Sequence, residues 1–429
     1  MSPIPRDPSA QLQRTSRLCE HKITVLPVTI RPARSPAAIV AIVCVAEILG
    51  MTPFSMFLAL QPLLQAEWQL SNTTSGWISS AYYAGYMLAV PILASLTDRF
   101  DARSVWLTAI TFAAGGALGF SAAATGPVTA VLCQAFAGAG LAGTYMPGLK
   151  LIGDRIAAPL HPRQVAFYTT SFSLGSSGSY FLVGQLIQDL PWRAAIAVAA
   201  SGPLIAWLLV YSTLERVKPH AESGMAGSNG RWGEVLQSGD TMRYVAAYSC
   251  HMWELFGMRA WLIPFLVFCT ALHGPTFAAP TTLAAMLALA GIPGSFAGAE
   301  LSARLGPRRV VMAIMLVSAT LGVMVGLLSS QAWWLILSVS FIHHAFVMGD
   351  SAALTSGLVA VSPPHSRGTA MALYSMTGFG AASLASFAIG AVLDLLGGQS
   401  QVSWALAFVV MVATNLVGAA LLARTRHAT

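Results

Sequence analysis

The chain has 429 residues, of which 55% are hydrophobic and only 9% charged, where soluble domains carry about a quarter charged residues. Water cannot solvate that much apolar surface, so the composition excludes a soluble enzyme or binding module and makes lipid the solvent. The formal net charge of +7 is not a nucleic-acid signal, because the basic residues collect on one side of the expected membrane.

Residues 1–36 are rich in Pro, Ser and Arg and contain no long apolar run. They lack the short apolar core and cleavage site of a secretory signal and read as a disordered basic cytoplasmic tail; a mis-set start codon and an Arg-rich targeting peptide are the alternatives. A spanning helix needs roughly 20 mostly apolar residues. Six such stretches follow, at 37–64, 76–96, 104–124, 127–150, 164–187 and 191–213. Residues 214–240 are polar, and Glu215, Arg216, Lys218 and Glu222 with Gly224, Gly227 and Gly230 make them a flexible cytoplasmic linker. Six more spans lie at 241–270, 276–298, 310–330, 332–357, 368–394 and 402–423, and residues 424–429 read as a short cytoplasmic tail. The expected organisation is a six-helix bundle over 37–213 and a second over 241–423. Prolines inside spans, such as Pro53 and Pro264, do not break the assignment, because neighbouring helices can satisfy the freed backbone groups. The spacings Gly115/Gly119, Gly294/Gly298 and Gly322/Gly326 predict close helix contacts.

Charge tests the twelve-span reading. With the N-terminus inside, 21 of the 23 basic residues fall on the inner side; Arg193 lies in an outer loop and Arg259 within a span. An odd number of spans would scramble this asymmetry. The expectation is a multi-pass protein of the inner or plasma membrane with both termini cytoplasmic.

The chain also repeats itself. Glu47-Ile48-Leu49-Gly50-Met51 is echoed by Glu254-Leu255-Phe256-Gly257-Met258 at an offset of 207. Arg99 with Arg103 is echoed by Arg304 with Arg308 at 205, and Arg163-Gln164-Val165-Ala166 by Arg367-Gly368-Thr369-Ala370 at 204. Duplicated halves with a site between them are how many transporters are built.

One stretch resembles a known family. Ala94-Ser95-Leu96-Thr97-Asp98-Arg99-Phe100-Asp101-Ala102-Arg103 is similar to the loop between helices two and three of the major facilitator superfamily, Gly-x-Leu-x-Asp-Arg-x-Gly-Arg/Lys-Arg/Lys. Leu96, Asp98, Arg99 and Arg103 match, while Ala94, Asp101 and Ala102 depart. The second copy keeps Leu301, Arg304, Gly306 and Arg308 but has Ala303 in place of the acid, and Pro191-Trp192-Arg193 before span six adds to the likeness. The resemblance covers about 37–423. It implies an all-α membrane protein with twelve transmembrane helices in two pseudo-symmetric six-helix bundles that open to either face in turn. Asp98, Arg99, Arg103, Arg304 and Arg308 would then form a cytoplasmic gate, the arginines bonding carboxylates and helix C-terminal carbonyls. The plain alternative makes these arginines topology markers only.

Ionisable residues inside a span cost several kcal/mol and are functional candidates by default. Glu47 and Glu254 occupy matching places in spans one and seven, which line the central cavity in the family that the chain resembles. Such acids can carry protons, bind a cationic group or pair with an internal base. His251 lies three residues before Glu254 on the same helix face, and Arg259 further along faces either Glu47 or an anionic solute. His343 and Asp350 form one stripe in span ten, from which His344 points away. Tyr82, Tyr83 and Tyr86 with Trp253 and Trp261 are candidate cavity walls. Each residue has a plain alternative as an internal pair or packing group.

The five cysteines have no CxxC or metal-type spacing, and no phosphate loop, HExxH or Gly-x-Ser-x-Gly signature occurs. No metal, cofactor or nucleic acid is expected. The run at 254–261 has a faint cyanate-permease flavour. The expected function is secondary active transport of a small solute, an organic or inorganic anion, coupled to protons, by a monomer in the lipid bilayer. Proton-driven efflux of lipophilic or cationic compounds and a non-transporting sensor or scaffold are the alternatives.

Overall fold

The computed structural model describes residues 35–156, 162–217, 232–398 and 400–424. Nearly all of the tail expected over 1–36, part of the expected linker, and residues 425–429 lie outside these. The first helices are α1 (Pro36–Gly50), α2 (Met56–Glu67), α3 (Asn72–Arg99), α4 (Ala102–Ala123), α5 (Pro127–Ala142), α6 (Tyr145–Gly153), α7 (Pro162–Asp189) and α8 (Trp192–Thr213). After a short α9 (Trp232–Gln237) come α10 (Gly239–His273), α11 (Pro280–Leu289), α12 (Gly291–Leu305) and α13 (Pro307–Leu327). The last are α14 (Trp333–Gly349), α15 (Ser351–Val361), α16 (Arg367–Leu395) and α17 (Gln401–Ala423). No strand occurs among the described residues.

Ten helical stretches among the described residues are long and apolar enough to cross a membrane; three of them join α5 to α6, α11 to α12, and α14 to α15. The other two expected spans take a different form. The first is split, because Pro53 has no N–H and the chain turns over 51–55 between α1 and α2. Ser179 on α7 repairs the break: Ser55 N–H donates to Ser179 Oγ at 2.9 Å, and that hydroxyl donates to Thr52 O at 2.7 Å. The fifth is α7, helical for 28 residues but rich in serine and threonine. Several of those hydroxyls turn back onto their own helix, as in Thr170 to Ala166 O at 2.8 Å and Ser171 to Tyr168 O at 2.7 Å, which hides them from lipid.

Close packing follows the small residues. A Cβ on Gly294 would meet Ala345 O at 2.0 Å and one on Gly298 would meet Gly349 O at 1.7 Å, so only glycine lets α12 lie against α14 there. In the pair Gly115/Gly119 only Gly119 is close to a neighbour, a Cβ there lying 3.3 Å from Cys133 Sγ on α5. Gly115 has open space around its Cβ position, whereas a Cβ on the neighbouring Gly116 would lie 2.5 Å from Ala137 N on α5. One residue turns the helix by about 100°, enough to exchange a packed face for an open one.

The helices before α9 and those from α10 onward meet chiefly through α3 against α16 and α7 against α11. The hydrogen bonds that join the two sets start at the end expected to face outward and reach the middle. Asp394 on α16 accepts from Asn72 and Thr73 at the start of α3. Deeper in, Ser383 Oγ donates to Ser80 O at 3.0 Å, and Ser177 Oγ on α7 donates to Ala285 O at 2.6 Å.

The apolar core has the same asymmetry. A single cluster runs through both sets and includes Phe57, Tyr83, Tyr180, Phe256 and Phe379. Toward the opposite end it gives way to two separate clusters. One holds Val43, Trp106, Leu151, Tyr168 and Val210 from the first set. The other holds Tyr244, Val311, Leu354, Tyr374 and Leu422 from the second. A cleft of about 210 Å³ lies between α7 and α12, lined by Thr169, Ser173, Ser295 and Phe296 and reaching Ala352.

Candidate functional site

Glu47 sits near the end of α1 with 1% of its surface exposed. Tyr168 Oη on α7 lies 3.0 Å from its Oε2 and 3.1 Å from Thr144 O at the α5–α6 break. The one phenolic proton serves one of these acceptors at a time. Glu47 Oε1 has no partner among the described residues.

Glu254, its counterpart on α10, is more fully held. Its Oε1 accepts from Ser318 Oγ of α13 at 2.7 Å and faces His343 Nε2 of α14 at 3.1 Å. Its Oε2 accepts from Asn415 Nδ2 of α17 at 2.7 Å. This single carboxylate therefore ties four helices together. Each acid is gripped by helices of its own set, not across the join.

One turn earlier on α10, His251 Nδ1 lies 2.8 Å from Asp350 Oδ1. The two atoms are within ion-pair distance but are not aligned as a hydrogen bond. Asp350 sits at the break between α14 and α15, and Ser351 Oγ lies 3.1 Å from His251 Nε2. The ring of Tyr248 stacks on His251 at 5.8 Å and on Tyr374 at 3.5 Å. Each pair sets a buried imidazole beside a buried carboxylate. His344 bonds its own helix, Nδ1–H donating to Ser340 O at 2.8 Å.

Arg259 differs from all of these. It is 7% exposed, Nη1 has no hydrogen-bond partner, and no ion pair joins it to Glu47 or any other carboxylate among the described residues. It stands where the two sets meet: Tyr180 Oη of α7 donates to its carbonyl at 3.1 Å, and its guanidinium lies 5.3 Å from the Phe256 ring centroid. Phe256 in turn meets Tyr83 of α3 at 4.6 Å and Phe379 of α16 at 5.5 Å. Tyr86 stacks on Phe379 at 3.5 Å, and Tyr82 packs on Phe54 at 5.6 Å. The two tryptophans do not join this wall by their nitrogens: Trp253 Nε1 donates to Val410 O at 3.2 Å and Trp261 Nε1 to Ser386 O at 2.9 Å.

The residues expected as a gate divide by contact. Arg103 Nη2 donates to Tyr211 O at 2.7 Å, capping the end of α8 within the first set. Arg308 repeats this in the second set, donating to Leu422 O at 2.8 Å and Ala423 O at 2.6 Å at the end of α17. Arg304 pairs with Glu300 one turn earlier on an exposed face. Arg99 is exposed at the end of α3. The side chain of Asp98 lies outside the described residues. Asp101, standing where the motif has glycine, caps α4 by accepting from Arg103 N at 3.1 Å, and Arg155 reaches it at 3.4 Å.

Sequence reasoning missed a four-bond contact between the sets. Asp394 Oδ1 accepts from Asn72 N and Nδ2 at 3.0 and 2.9 Å, and Oδ2 from Thr73 N and Oγ1 at 2.7 and 2.6 Å. Ser71 caps the same helix end by accepting from Thr74 N at 3.1 Å. The run Ser71-Asn72-Thr73 before an apolar stretch was the available signal.

The family model described as Major Facilitator Superfamily matches residues 43–284 and 255–429. "Protein spinster homolog 3" of Danio rerio is 24% identical over 242 residues, 56% of this chain and 47% of that protein, so the chain spans about half the length of that relative. "Putative niacin/nicotinamide transporter NiaP" of Bacillus subtilis (strain 168) is 22% identical over 264 residues, 60% of this chain and 64% of that one. Among solved structures, a bacterial homolog of the human lysosomal transporter Spinster, inward-facing and unoccupied, superposes with a TM-score of 0.71 at 16% identity, covering 90% of this chain and 96% of that one.

Proposed function

Since this chain belongs to the Major Facilitator Superfamily, we propose that it is a secondary active transporter, moving a small anionic solute between two sets of helices by alternating access and coupling that movement to protons. The observation that carries the reading is the asymmetric core. It is continuous through both sets at one end and divided in two at the other, as a bundle closed outward and parting inward requires. Arg259, buried and without a counter-charge at the join, is the solute anchor. Its uncompensated charge is costly in a low-dielectric interior, and an anion arriving there removes that cost.

The coupling proton travels on the buried His–carboxylate pairs. Asp350 of the His251–Asp350 pair is two residues before Ala352, which lines the cleft, and Glu254–His343 lies one turn further along α10. Arg103 and Arg308 stiffen each set by tying its last helix to its third, so that the sets rock as bodies. In the opposite state Asp98, Arg99 and Arg304 close the cytoplasmic end. The protein works as a monomer in the plasma or inner membrane with both termini in the cytoplasm.

Counterflow and pH-driven uptake in proteoliposomes test this. Glu254→Gln keeps hydrogen-bonding capacity but removes the titratable group. It abolishes accumulation driven by a proton gradient and leaves solute exchange intact; accumulation at the wild-type level removes Glu254 from the coupling path.

A further inference from the structure

We infer that the solute is a flat aromatic monocarboxylate, its carboxylate on Arg259 and its ring against Phe256 and Tyr83; this rests on the transport reading and sharpens it. Three observations carry it.

The first is the charge count. Arg259 is the one lysine or arginine of the described residues in the middle of a spanning helix. One guanidinium balances one negative charge, and its planar fork suits a two-oxygen group such as carboxylate. A dianion would leave one charge uncompensated in the bilayer interior.

The second is what surrounds that charge. The guanidinium rests beside the Phe256 ring, which contacts Tyr83 and Phe379, and Phe379 stacks on Tyr86. Aromatic faces carry partial negative charge and repel a bare inorganic anion, yet they accept another ring stacked or edge-on. A small ion such as cyanate would meet the guanidinium and the hydroxyls of Tyr83 and Tyr86 but leave the ring faces unmatched. A flat organic acid matches both halves of the surface.

The third is the position of these rings. Tyr83 and Tyr86 come from α3, Phe256 and Arg259 from α10 and Phe379 from α16, so the wall is assembled by both sets. A ring inserted there touches both bodies and is released when they part, which is the placement a carried solute needs.

Competition against radiolabelled benzoate on the purified protein tests the class. Benzoate and nicotinate bind; benzamide, which keeps the ring and loses the charge, binds at least tenfold more weakly. Acetate and cyanate, which keep the charge and lose the ring, do not compete at matched concentration. Cyclohexanecarboxylate, similar in bulk but not flat, is several-fold weaker than benzoate. Arg259→Met removes benzoate binding. Phe256→Leu, a milder change that preserves bulk, brings benzoate and cyclohexanecarboxylate to equal affinity. Equal binding of benzamide and benzoate, competition by cyanate or acetate at benzoate's potency, or no benzoate binding at all overturns the inference. Counterflow in proteoliposomes separates it from the reading beneath: benzoate bound with an Arg259 requirement but never exchanged upholds the class and overturns transport. Exchange of acetate but not benzoate upholds transport and overturns the class.

Discussion

Replacing Asp394 by asparagine loosens the outward-facing seal by an amount that the contacts define. The carboxylate takes two backbone N–H groups at the first turn of α3 and two side-chain donors, all between 2.6 and 3.0 Å. It caps one set of helices with a residue from the other. Asparagine retains one acceptor oxygen and points its NH₂ at the donors of Thr73, so about half the contacts are lost. Losing a helix cap costs about 1 kcal/mol, and removing a negative charge from a helix N-terminus costs roughly 0.5 kcal/mol where water screens it. The site is open to solvent, so the larger values for buried charge-assisted bonds do not apply. The total, about 1.5 kcal/mol, shifts the ratio of closed to open outer ends by roughly tenfold. Spin labels at Leu190 and Phe277, exposed residues of the outer loops on the two sets, report the change by pulsed electron resonance. The wild type gives a predominantly short distance, and Asp394→Asn adds a longer one. An unchanged distribution refutes the role of Asp394 as a latch.

Other substitutions probe separate parts of the account. Glu254→Ala leaves Asn415, Ser318 and His343 without their acceptor, and loss of one member of such a buried set costs roughly 3–5 kcal/mol; thermal unfolding in detergent drops by several degrees, while Glu254→Gln stays within a few degrees of wild type. Gly298→Ala drives a methyl group into Gly349 O and forces α12 off α14, so little folded protein survives extraction, whereas Gly115→Ala, in open space, is neutral. Arg308→Ala frees the last carbonyls of α17 and lowers stability by about 1 kcal/mol, read as a lower melting temperature with unchanged solute affinity.

The fold was largely legible because lipid imposes a simple rule: long apolar stretches punctuated by polar loops. Its exceptions had local causes. Pro53 was visible as a proline in span one, but its effect depends on Ser179, 126 residues later, which supplies the missing backbone partner. The candidate site was legible in part. Glu47, Glu254 and Arg259 stand out as ionisable residues in apolar surroundings, and the repeat pairs the two acids. Of their partners only His343 was singled out, and the pairings themselves were not legible. Tyr168, Ser318, His343 and Asn415 come from helices 64 to 161 residues away, and helix packing, not spacing along the chain, brings them in. Asp394 was passed over because an acid at the end of a span reads as the edge of the membrane. Arg103 and Arg308 were noticed through the repeat, but their carbonyl partners on α8 and α17 became visible only in three dimensions.

The central claim is that the two sets move apart at their outer end during each cycle, and a reversible cross-link tests it most directly. Ser80 and Ser383 bond each other's carbonyls across α3 and α16, close enough for a disulfide once both are cysteine and the native cysteines have been replaced. Oxidised Ser80→Cys/Ser383→Cys protein in proteoliposomes shows no counterflow, and reduction restores it. Full counterflow through completely cross-linked protein would contradict the account.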